Sequence, residues 1–294
     1  MPAGNSRVYR FLASKLPSPC PIEPAKHPIG VFDSGVGGLS ILKALRAELP
    51  FEDFVYVADS GYAPYGERDE AFVVARSNTI ALYLQNHQHL PIKALVIACN
   101  TATAAAVHLL RQDHPDLPII GVEPALKPAV ALSRTKRIAV LATRGTLASQ
   151  KFNTLKNSLA SQAEVICQPC DGLADAIERN DTAKTIALCA YYTSALGQIG
   201  IKNGQIDTLV LGCTHYPFAS SHLRALVGPE VHLMDNGPAV ARQTRCLVSP
   251  LAAGREPGQL VLLSTGNPDA LTNAARRWLG VDTPASLPIK ALSL

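Results

Sequence analysis

The sequence lacks the features that mark membrane, secreted and nucleic-acid-binding proteins. No apolar run approaches the roughly 20 residues that a membrane-spanning helix needs, which excludes a transmembrane segment. Blocks of about five or six like charges are absent as well, and 27 basic against 23 acidic residues leave a net charge of +4, so nucleic acid is not indicated as a partner. Residues 1–28 lack the apolar stretch of about 7–15 residues found in signal peptides, and we expect an irregular extension there.

The cysteines lack the short regular spacing of a secreted disulfide framework. There are seven, at positions 20, 99, 167, 170, 189, 213 and 246, and this odd number favours free thiols in a reducing cytoplasm. Cys167 and Cys170 have the spacing of a redox motif or of half a zinc site, but no second pair exists, so we interpret them as structural. No motif marks a Schiff-base lysine or a metal cluster, and the sequence predicts no cofactor.

What the sequence contains is a regular alternation of short apolar runs with longer helix-like segments from residue 29 onward. This alternation is typical of parallel sheets covered on both faces, which makes the fold class α/β. Nine candidate strands are many for one sheet, so we predict two doubly wound lobes with mostly parallel sheets and the active site at the interface between the lobes. The candidates are Ile29–Asp33, Phe54–Asp59, Ala94–Ala98, Ile119–Val122, Arg137–Ala142, Glu164–Cys167, Thr208–Gly212, Val231–Asp235 and Leu260–Ser264.

The chain is predicted to divide into four parts. Residues 1–28 form the extension, 29–121 the first lobe, 122–231 the second lobe, and 232–294 a return segment that completes the first lobe. Pro124 and Pro128 mark the first crossover between lobes. The return segment is placed by topology alone, because chain ends commonly finish against the sheet in which they began.

Two cysteines stand in matching places, each directly after a predicted buried strand. Cys99 is followed by Asn100 and Thr101, which can cap the next helix, and Cys213 is followed by Thr214 in the same way. Ligands of open parallel sheets bind beyond the carboxyl ends of the strands, so both thiols are predicted to face the functional site. A helix N-terminus lowers the pKa of a thiol from about 8.5 toward neutrality, which makes each cysteine a candidate base.

A matched pair of thiols suits the racemisation of an α-carbon. That reaction needs a base on one face and an acid on the other, and the two roles exchange for the opposite enantiomer. A thiol hydrolase would instead need one cysteine, a nearby histidine and an oxyanion hole, which leaves the second cysteine without a task. The remaining alternative is that both cysteines are small buried hydrophobic residues.

The first predicted strand leads from Asp33 into the glycine-rich turn Gly35–Gly38. Its backbone amides at a helix N-terminus predict a seat for a substrate carboxylate. The turn also loosely resembles a dinucleotide-binding loop, but Ser40 replaces the third small residue, and Asp33 would repel a pyrophosphate. Asp33 and Asp59, at the ends of the first two strands, are better suited to hold a substrate ammonium or to tune a cysteine.

Three further segments are candidates for the site. Tyr62–Gly66 follows Asp59 as a tight turn that could close over a small ligand, and an ordinary surface turn explains it equally well. His215 lies two residues beyond Cys213, where its ring could donate or accept a proton; a capping or solvent-facing histidine is the alternative. Thr143–Thr146 offers hydroxyl and amide groups for a second carboxylate, although turn chemistry alone would also account for it.

Four motifs occur in one order along the chain. They are Asp33–Ser40, Pro64–Glu67, Cys99–Ala102 and Gly212–Pro217. Together they resemble the cofactor-independent glutamate racemases of the aspartate/glutamate racemase family, and the resemblance extends from about Ile29 to Gly280. It implies a two-lobe fold, conversion of L-glutamate to D-glutamate for peptidoglycan synthesis, and no cofactor.

The resemblance also implies roles for single residues. Cys99 and Cys213 would be the catalytic pair, with Asp33 and Asp59 assisting on the Cys99 side, and Glu178 and His215 on the Cys213 side. The segment Asp171–Glu178 departs from the commoner proline-rich form. With Thr143 and Thr146 added from the turn described above, the expected substrate-binding residues are Asp33, Ser34, Tyr65, Gly66, Asn100, Thr101, Thr143, Thr146, Thr214 and His215.

The extension before His27, Gly121–Pro128 and Leu141–Thr146 are similar to the branch of the family found in Gram-negative enteric bacteria. That similarity implies activation by UDP-N-acetylmuramoyl-L-alanine, and the family as a whole implies a homodimer. A related two-cysteine racemase or isomerase acting on aspartate, a hydantoin or maleate stays open, because sequence does not give the pocket size. A non-catalytic binding protein of the same fold is the third alternative.

Overall fold

Two parallel sheets form the frame of the chain in a computed structural model, which describes residues 27–86, 91–248, 257–280 and 289–294. The first sheet has six strands in the order β10-β9-β2-β1-β3-β4, and the second has four in the order β6-β5-β7-β8. The strands are β1 Ile29–Asp33, β2 Phe54–Ala58, β3 Ala94–Ile97, β4 Ile119–Gly121, β5 Arg137–Ala142, β6 Glu164–Pro169, β7 Thr208–Leu211, β8 His232–Met234, β9 Leu260–Ser264 and β10 Ile289–Ala291.

Helices follow almost every strand. They are α1 Leu39–Glu48, α2 Glu70–Asn86, α3 Asn100–Asp113, α4 Leu126–Leu132, α5 Arg144–Ala148, α6 Gln150–Ser158, α7 Leu173–Glu178, α8 Thr182–Ser194, α9 Ser220–Val227, α10 Gly237–Val248 and α11 Pro268–Leu279. Every strand pair in the two sheets is parallel. The predicted α/β class with two lobes is therefore confirmed. None of the described helices is both long and apolar enough to cross a membrane.

Both faces of each sheet are buried, which explains why the strands are apolar without alternation. Along β1, Val31 packs with α1, α10 and α11 on one face, whereas Phe32 packs with α2 and α3 on the other. Along β5, Leu141 faces α7, α8 and α9, and Val140 faces α4 and α6. The carboxyl ends of the central strands are thus the exposed route into each lobe.

The chain passes between the lobes twice. It leaves the first sheet after β4 and returns after β8, when Val240 and Val248 of α10 enter the core of the first lobe. β9 then pairs with β2, and β10 pairs with β9. The division at 29–121, 122–231 and 232–294 stays a prediction, but His232–Met234 pairs with β7 and so lies in the second sheet. Of the predicted extension, only residues 27 and 28 fall in the described ranges.

Candidate active site

A cavity of about 330 Å³ lies where the carboxyl ends of the two sheets face each other. Its volume falls at the lower end of the range of about 300–1,000 Å³ that is usual for small-molecule sites. Every site residue predicted from the sequence lines it, except Asp33 and Asp59. The first lobe contributes Ser34, Tyr65, Gly66, Cys99, Asn100 and Thr101, and the second contributes Thr143, Thr146, Glu178, Cys213, Thr214 and His215.

Cys99 caps the N-terminus of α3. Its Sγ accepts a hydrogen bond from the backbone N of Ala102 at 3.4 Å and lies 3.8 Å from the hydroxyl of Ser34. Burial raises the pKa of Cys99, the charge of Asp33 raises it further, and the Ala102 amide lowers it by less. The expectation that the helix N-terminus brings this pKa toward neutrality is therefore wrong, because desolvation outweighs the single amide.

Cys213 follows β7 without a helix cap. A turn and a short 3₁₀ segment, Tyr216–Ala219, separate it from α9, so the predicted match between the two cysteines ends with their strands. Instead of a backbone amide, the Sγ of Cys213 has the Nδ1 of His215 at 3.8 Å. The two thiols thus share a cavity but have different polar partners.

Glu178 and His215 form an ion pair beside Cys213. The Nε2 of His215 lies 2.7 Å from the Oε2 of Glu178. Burial alone lowers the pKa of His215, but its contacts with Cys213 and Glu178 outweigh burial and hold it well above the ordinary value. Burial likewise raises the pKa of Glu178, and His215 with other donors brings the net value below the ordinary one. The pair is an imidazolium and a carboxylate at neutral pH.

The glycine-rich turn packs directly against this pair. A Cβ at Gly35 would lie 2.3 Å from the carboxylate of Glu178, and a Cβ at Gly37 would lie 2.3 Å from the ring of His215. The Val36 amide donates to the Oε2 of Glu178 at 2.8 Å. The amides of Val36 and Gly38 hold protein carboxylates, and Gly35–Gly38 do not line the cavity, so the prediction that this turn seats a substrate carboxylate is wrong.

Asp33 is fully buried behind the cavity wall. Its Oδ2 accepts from the Gly38 amide at 2.7 Å, and Thr214 donates to its Oδ1 at 3.5 Å. Burial raises its pKa from 3.8 to about 6, although the charge of His215 opposes the rise. Asp33 therefore titrates near neutral pH, and it lies close enough to Cys99 to affect that thiol.

Asp59 is bound on all sides within the first lobe. Arg76 donates to both of its carboxylate oxygens, at 2.8 and 3.0 Å, and the hydroxyl groups of Thr265 and Tyr65 donate at 2.8 and 2.5 Å. The structure thus shows Asp59 fixing Tyr65, which lines the cavity. A direct role of Asp59 toward Cys99 stays a prediction.

Three threonine hydroxyl groups meet across the lobe boundary. The Oγ1 of Thr101 lies 3.1 Å from that of Thr143, which lies 3.0 Å from that of Thr146. Thr143 also caps α5. Hydroxyl groups both donate and accept, so this cluster can reorient toward an anionic ligand.

The site falls inside a region that matches a known family. The sequence profile of the Asp/Glu/Hydantoin racemase family matches residues 30–244, which include Cys99, Cys213 and the ion pair beside Cys213. The chain belongs to this family. The resemblance drawn from the four motifs is thereby confirmed, and this racemase is an enzyme of the isomerase class.

Named relatives of the racemase agree over nearly the whole chain. A glutamate racemase from Methylococcus capsulatus is 44% identical over 269 residues, 90% of this chain and 96% of that protein. Glutamate racemase from Francisella tularensis, solved with D-glutamate, matches with a TM-score of 0.76 and 26% identity over 92% of this chain and 98% of that one. Escherichia coli glutamate racemase, solved with L-glutamate and the activator UDP-MurNAc-Ala, matches with a TM-score of 0.76 and 29% identity over 90% and 98%.

Ser60 and Cys170 are among the cavity residues of the racemase that the sequence did not predict. Ser60 follows Asp59, and Cys170, which we interpreted as structural, is buried and lines the cavity. Both come directly after a strand or within two residues of its end, the position that singled out Cys99, so the same rule applied to every strand would have found them. Among the described residues, no group of three or more His, Cys, Asp or Glu could hold a metal ion.

Proposed function

We propose that this chain is a glutamate racemase that interconverts L-glutamate and D-glutamate by a two-base proton transfer, supplying D-glutamate for peptidoglycan. The observation that carries the proposal is the placement of Cys99 and Cys213, one from each lobe, on the same cavity. The names of the relatives favour glutamate over the aspartate, hydantoin and maleate alternatives. Retention of both thiols and of the His215–Glu178 pair argues against a non-catalytic binding protein.

In the proposed reaction one thiolate removes the α-proton and the other thiol replaces it on the opposite face. The C–H bond breaks toward the first sulfur and leaves its electron pair on the α-carbon. That carbon then takes the proton of the second S–H group, which becomes the thiolate. The opposite enantiomer reacts through the same two groups with exchanged roles.

The raised pKa of Cys99 must be lowered before its thiolate can form and the reaction can begin. A substrate ammonium in the cavity would offset, through the cavity wall, the Asp33 charge that raises the pKa of Cys99, and the cation would itself favour the thiolate. On the other side, the imidazolium of His215 can donate from Nδ1 to Cys213. We expect the hydroxyl and amide groups of Ser34, Asn100 and the threonine cluster to bind the two substrate carboxylates, because they line the same cavity.

Deuterium exchange tests the proposal. L-Glutamate and L-aspartate are incubated in deuterated water with wild type, Cys99→Ala and Cys213→Ala, and optical rotation and α-proton exchange are followed. We expect racemisation of glutamate by wild type and its loss in both variants. Cys246→Ala, which changes an exposed cysteine outside the cavity, is the matched control. Normal turnover by Cys99→Ala or Cys213→Ala would contradict the two-base mechanism. A preference for aspartate would contradict the assignment of glutamate as the substrate.

We also propose that UDP-N-acetylmuramoyl-L-alanine activates the enzyme, as the Escherichia coli complex suggests. Gly121–Pro128, the segment that resembles the enteric branch, lines a second cavity of about 220 Å³ together with α10. Lys127 offers it a cation for a diphosphate. Turnover is measured with and without the precursor, with UDP as control, in wild type and Lys127→Ala. Full activity without the precursor would end this proposal.

A further inference from the structure

The carboxylate of Glu178 is held by donors from both lobes, although Glu178 itself belongs to α7 of the second lobe. Its Oε2 accepts from His215 at 2.7 Å and from the Val36 amide at 2.8 Å, and its Oε1 accepts from the hydroxyl of Ser60 at 2.9 Å. Val36 and Ser60 belong to the first lobe. The base-orienting carboxylate of one lobe is therefore fixed by the other.

Ser60 differs from the other two donors because it binds a different oxygen of the carboxylate. Among the residues that the structure describes, it is the donor to Oε1, whereas Oε2 has two. Without it, the carboxylate can turn about its last torsion and lose the geometry that it offers to His215. A charge-assisted hydrogen bond of this kind is stronger than a neutral one, so its loss should weaken the ion pair between Glu178 and His215.

The segment that carries Ser60 is rigid. Ser60 begins a 3₁₀ turn directly after Asp59, whose carboxylate is bound by Arg76 and Thr265. Gly35 packs closely against the Glu178 carboxylate, which keeps that carboxylate beside the Ser60 hydroxyl. The serine hydroxyl is thus a fixed point against which the second-lobe carboxylate is oriented.

We infer that Ser60 is a positioning residue that acts through Glu178 and His215 on the proton transfers of Cys213, and not on those of Cys99. The inference rests on the proposed racemase function. It links three hydrogen-bonded steps, from Ser60 to Glu178, from Glu178 to His215, and from His215 to Cys213. Cys99 has its own partners, Ala102 and Ser34, and lies outside this relay.

The test uses isotope effects, because the two enantiomers have equal free energy and kcat/KM therefore stays equal in both directions for every variant. A slower transfer at one thiol makes abstraction by that thiol more rate-limiting. The primary isotope effect with α-deuterated substrate then rises for the enantiomer which that thiol deprotonates and falls for the other. Cys99→Ser and Cys213→Ser calibrate the two opposite senses.

For Ser60→Ala we expect kcat to fall about tenfold, the factor for one charge-assisted hydrogen bond. The ratio of the isotope effects measured with the two enantiomers should change in the same direction as it does in Cys213→Ser. Ser60→Thr keeps a hydroxyl and should restore the wild-type ratio. Ser194→Ala, which removes an exposed hydroxyl bonded only to its own helix, should change nothing. A wild-type ratio in Ser60→Ala, or a shift in the sense of Cys99→Ser, would overturn the inference.

A second readout does not need turnover. In a histidine-labelled sample followed by NMR, Ser60→Ala should lower the pKa of His215 relative to wild type, because the carboxylate that stabilises the imidazolium is no longer held. An unchanged titration would count against Ser60 even if glutamate proved to be the wrong substrate. Absence of glutamate racemisation in wild type with a shifted His215 titration would count against the proposed function alone.

Discussion

At the scale of single residues, Asp33 shows how a group in the active site lowers the stability of the folded protein. Its carboxylate is buried without a direct basic partner, and its pKa is raised from 3.8 to about 6. Between these values the unfolded chain holds fewer protons than the folded one, so stability falls as the pH rises through this range. A functional group is here retained at the expense of stability, a common property of active sites.

Replacing Asp33 by asparagine should therefore stabilise the protein at neutral pH and impair catalysis. The variant keeps an oxygen for the Gly38 amide but carries no charge. We expect its free energy of unfolding to exceed that of wild type by up to about 3 kcal/mol at pH 7, with no excess below the unfolded pKa. Urea unfolding at several pH values measures the difference. A difference independent of pH would contradict the assignment.

Gly37 is needed for space. Its added Cβ would lie 2.3 Å from the ring of His215, so Gly37→Ala should displace that ring. Because a misplacement of about 1 Å can cost a hundredfold, we expect kcat to fall about that much while the melting temperature changes little. A normal rate would show that the ring adapts.

Sequence reasoning identified both thiols and His215 because each follows a strand end, a pattern visible in one dimension. The direction of the Cys99 pKa shift was out of its reach. That direction depends on burial, and on Asp33 from another strand, which only the folded chain brings together. Asp59 is predicted in the site for the same positional reason. In the structure, Arg76, which lies seventeen residues further along the chain, donates hydrogen bonds to both of its oxygens.

At the scale of elements, α2 is tied to the end of β2 by the buried Arg76–Asp59 pair. Replacing Arg76 by methionine would leave Asp59 buried and unpaired, which should cost about 3–5 kcal/mol of stability. Arg137→Met, which breaks the exposed pair with Glu164, is the matched control and should leave the unfolding midpoint unchanged. Equal effects of the two changes in urea unfolding would contradict the role of burial.

Strands were predictable and their flanks less so. All nine predicted strands occur, with ends that differ by at most two residues, because buried parallel strands are continuous apolar runs. β10 escaped prediction because it has three residues and no apolar run. The 3₁₀ turn after Cys213 also escaped, since Thr214 and His215 read equally well as a helix start.

At the scale of the whole molecule, a ligand in the cavity contacts both lobes and should stabilise them together. The measurement uses Cys99→Ala, so that the ligand is not turned over. L-Glutamate at a hundred times its dissociation constant should add about 2.7 kcal/mol to the free energy of unfolding of this variant. Calorimetry is expected to show a higher melting temperature with glutamate than with the same concentration of L-aspartate. Equal shifts would contradict glutamate as the preferred ligand.

The homodimer and the cytoplasmic location stay predictions. Sedimentation of the full chain at several concentrations, with and without glutamate, measures the first. We expect a dimer mass in both conditions. A monomer throughout would contradict the expectation drawn from the family.

The two passages of the chain between the lobes restrict how the cavity can open. One follows β4 and the other follows β8, and both line the second cavity, through Glu123 and Asn236. A body tethered at two points keeps one easy rotation, about the line that joins the tethers. The lobes should therefore part along a single arc, and a molecule lodged at the axis would change the angle at which they rest.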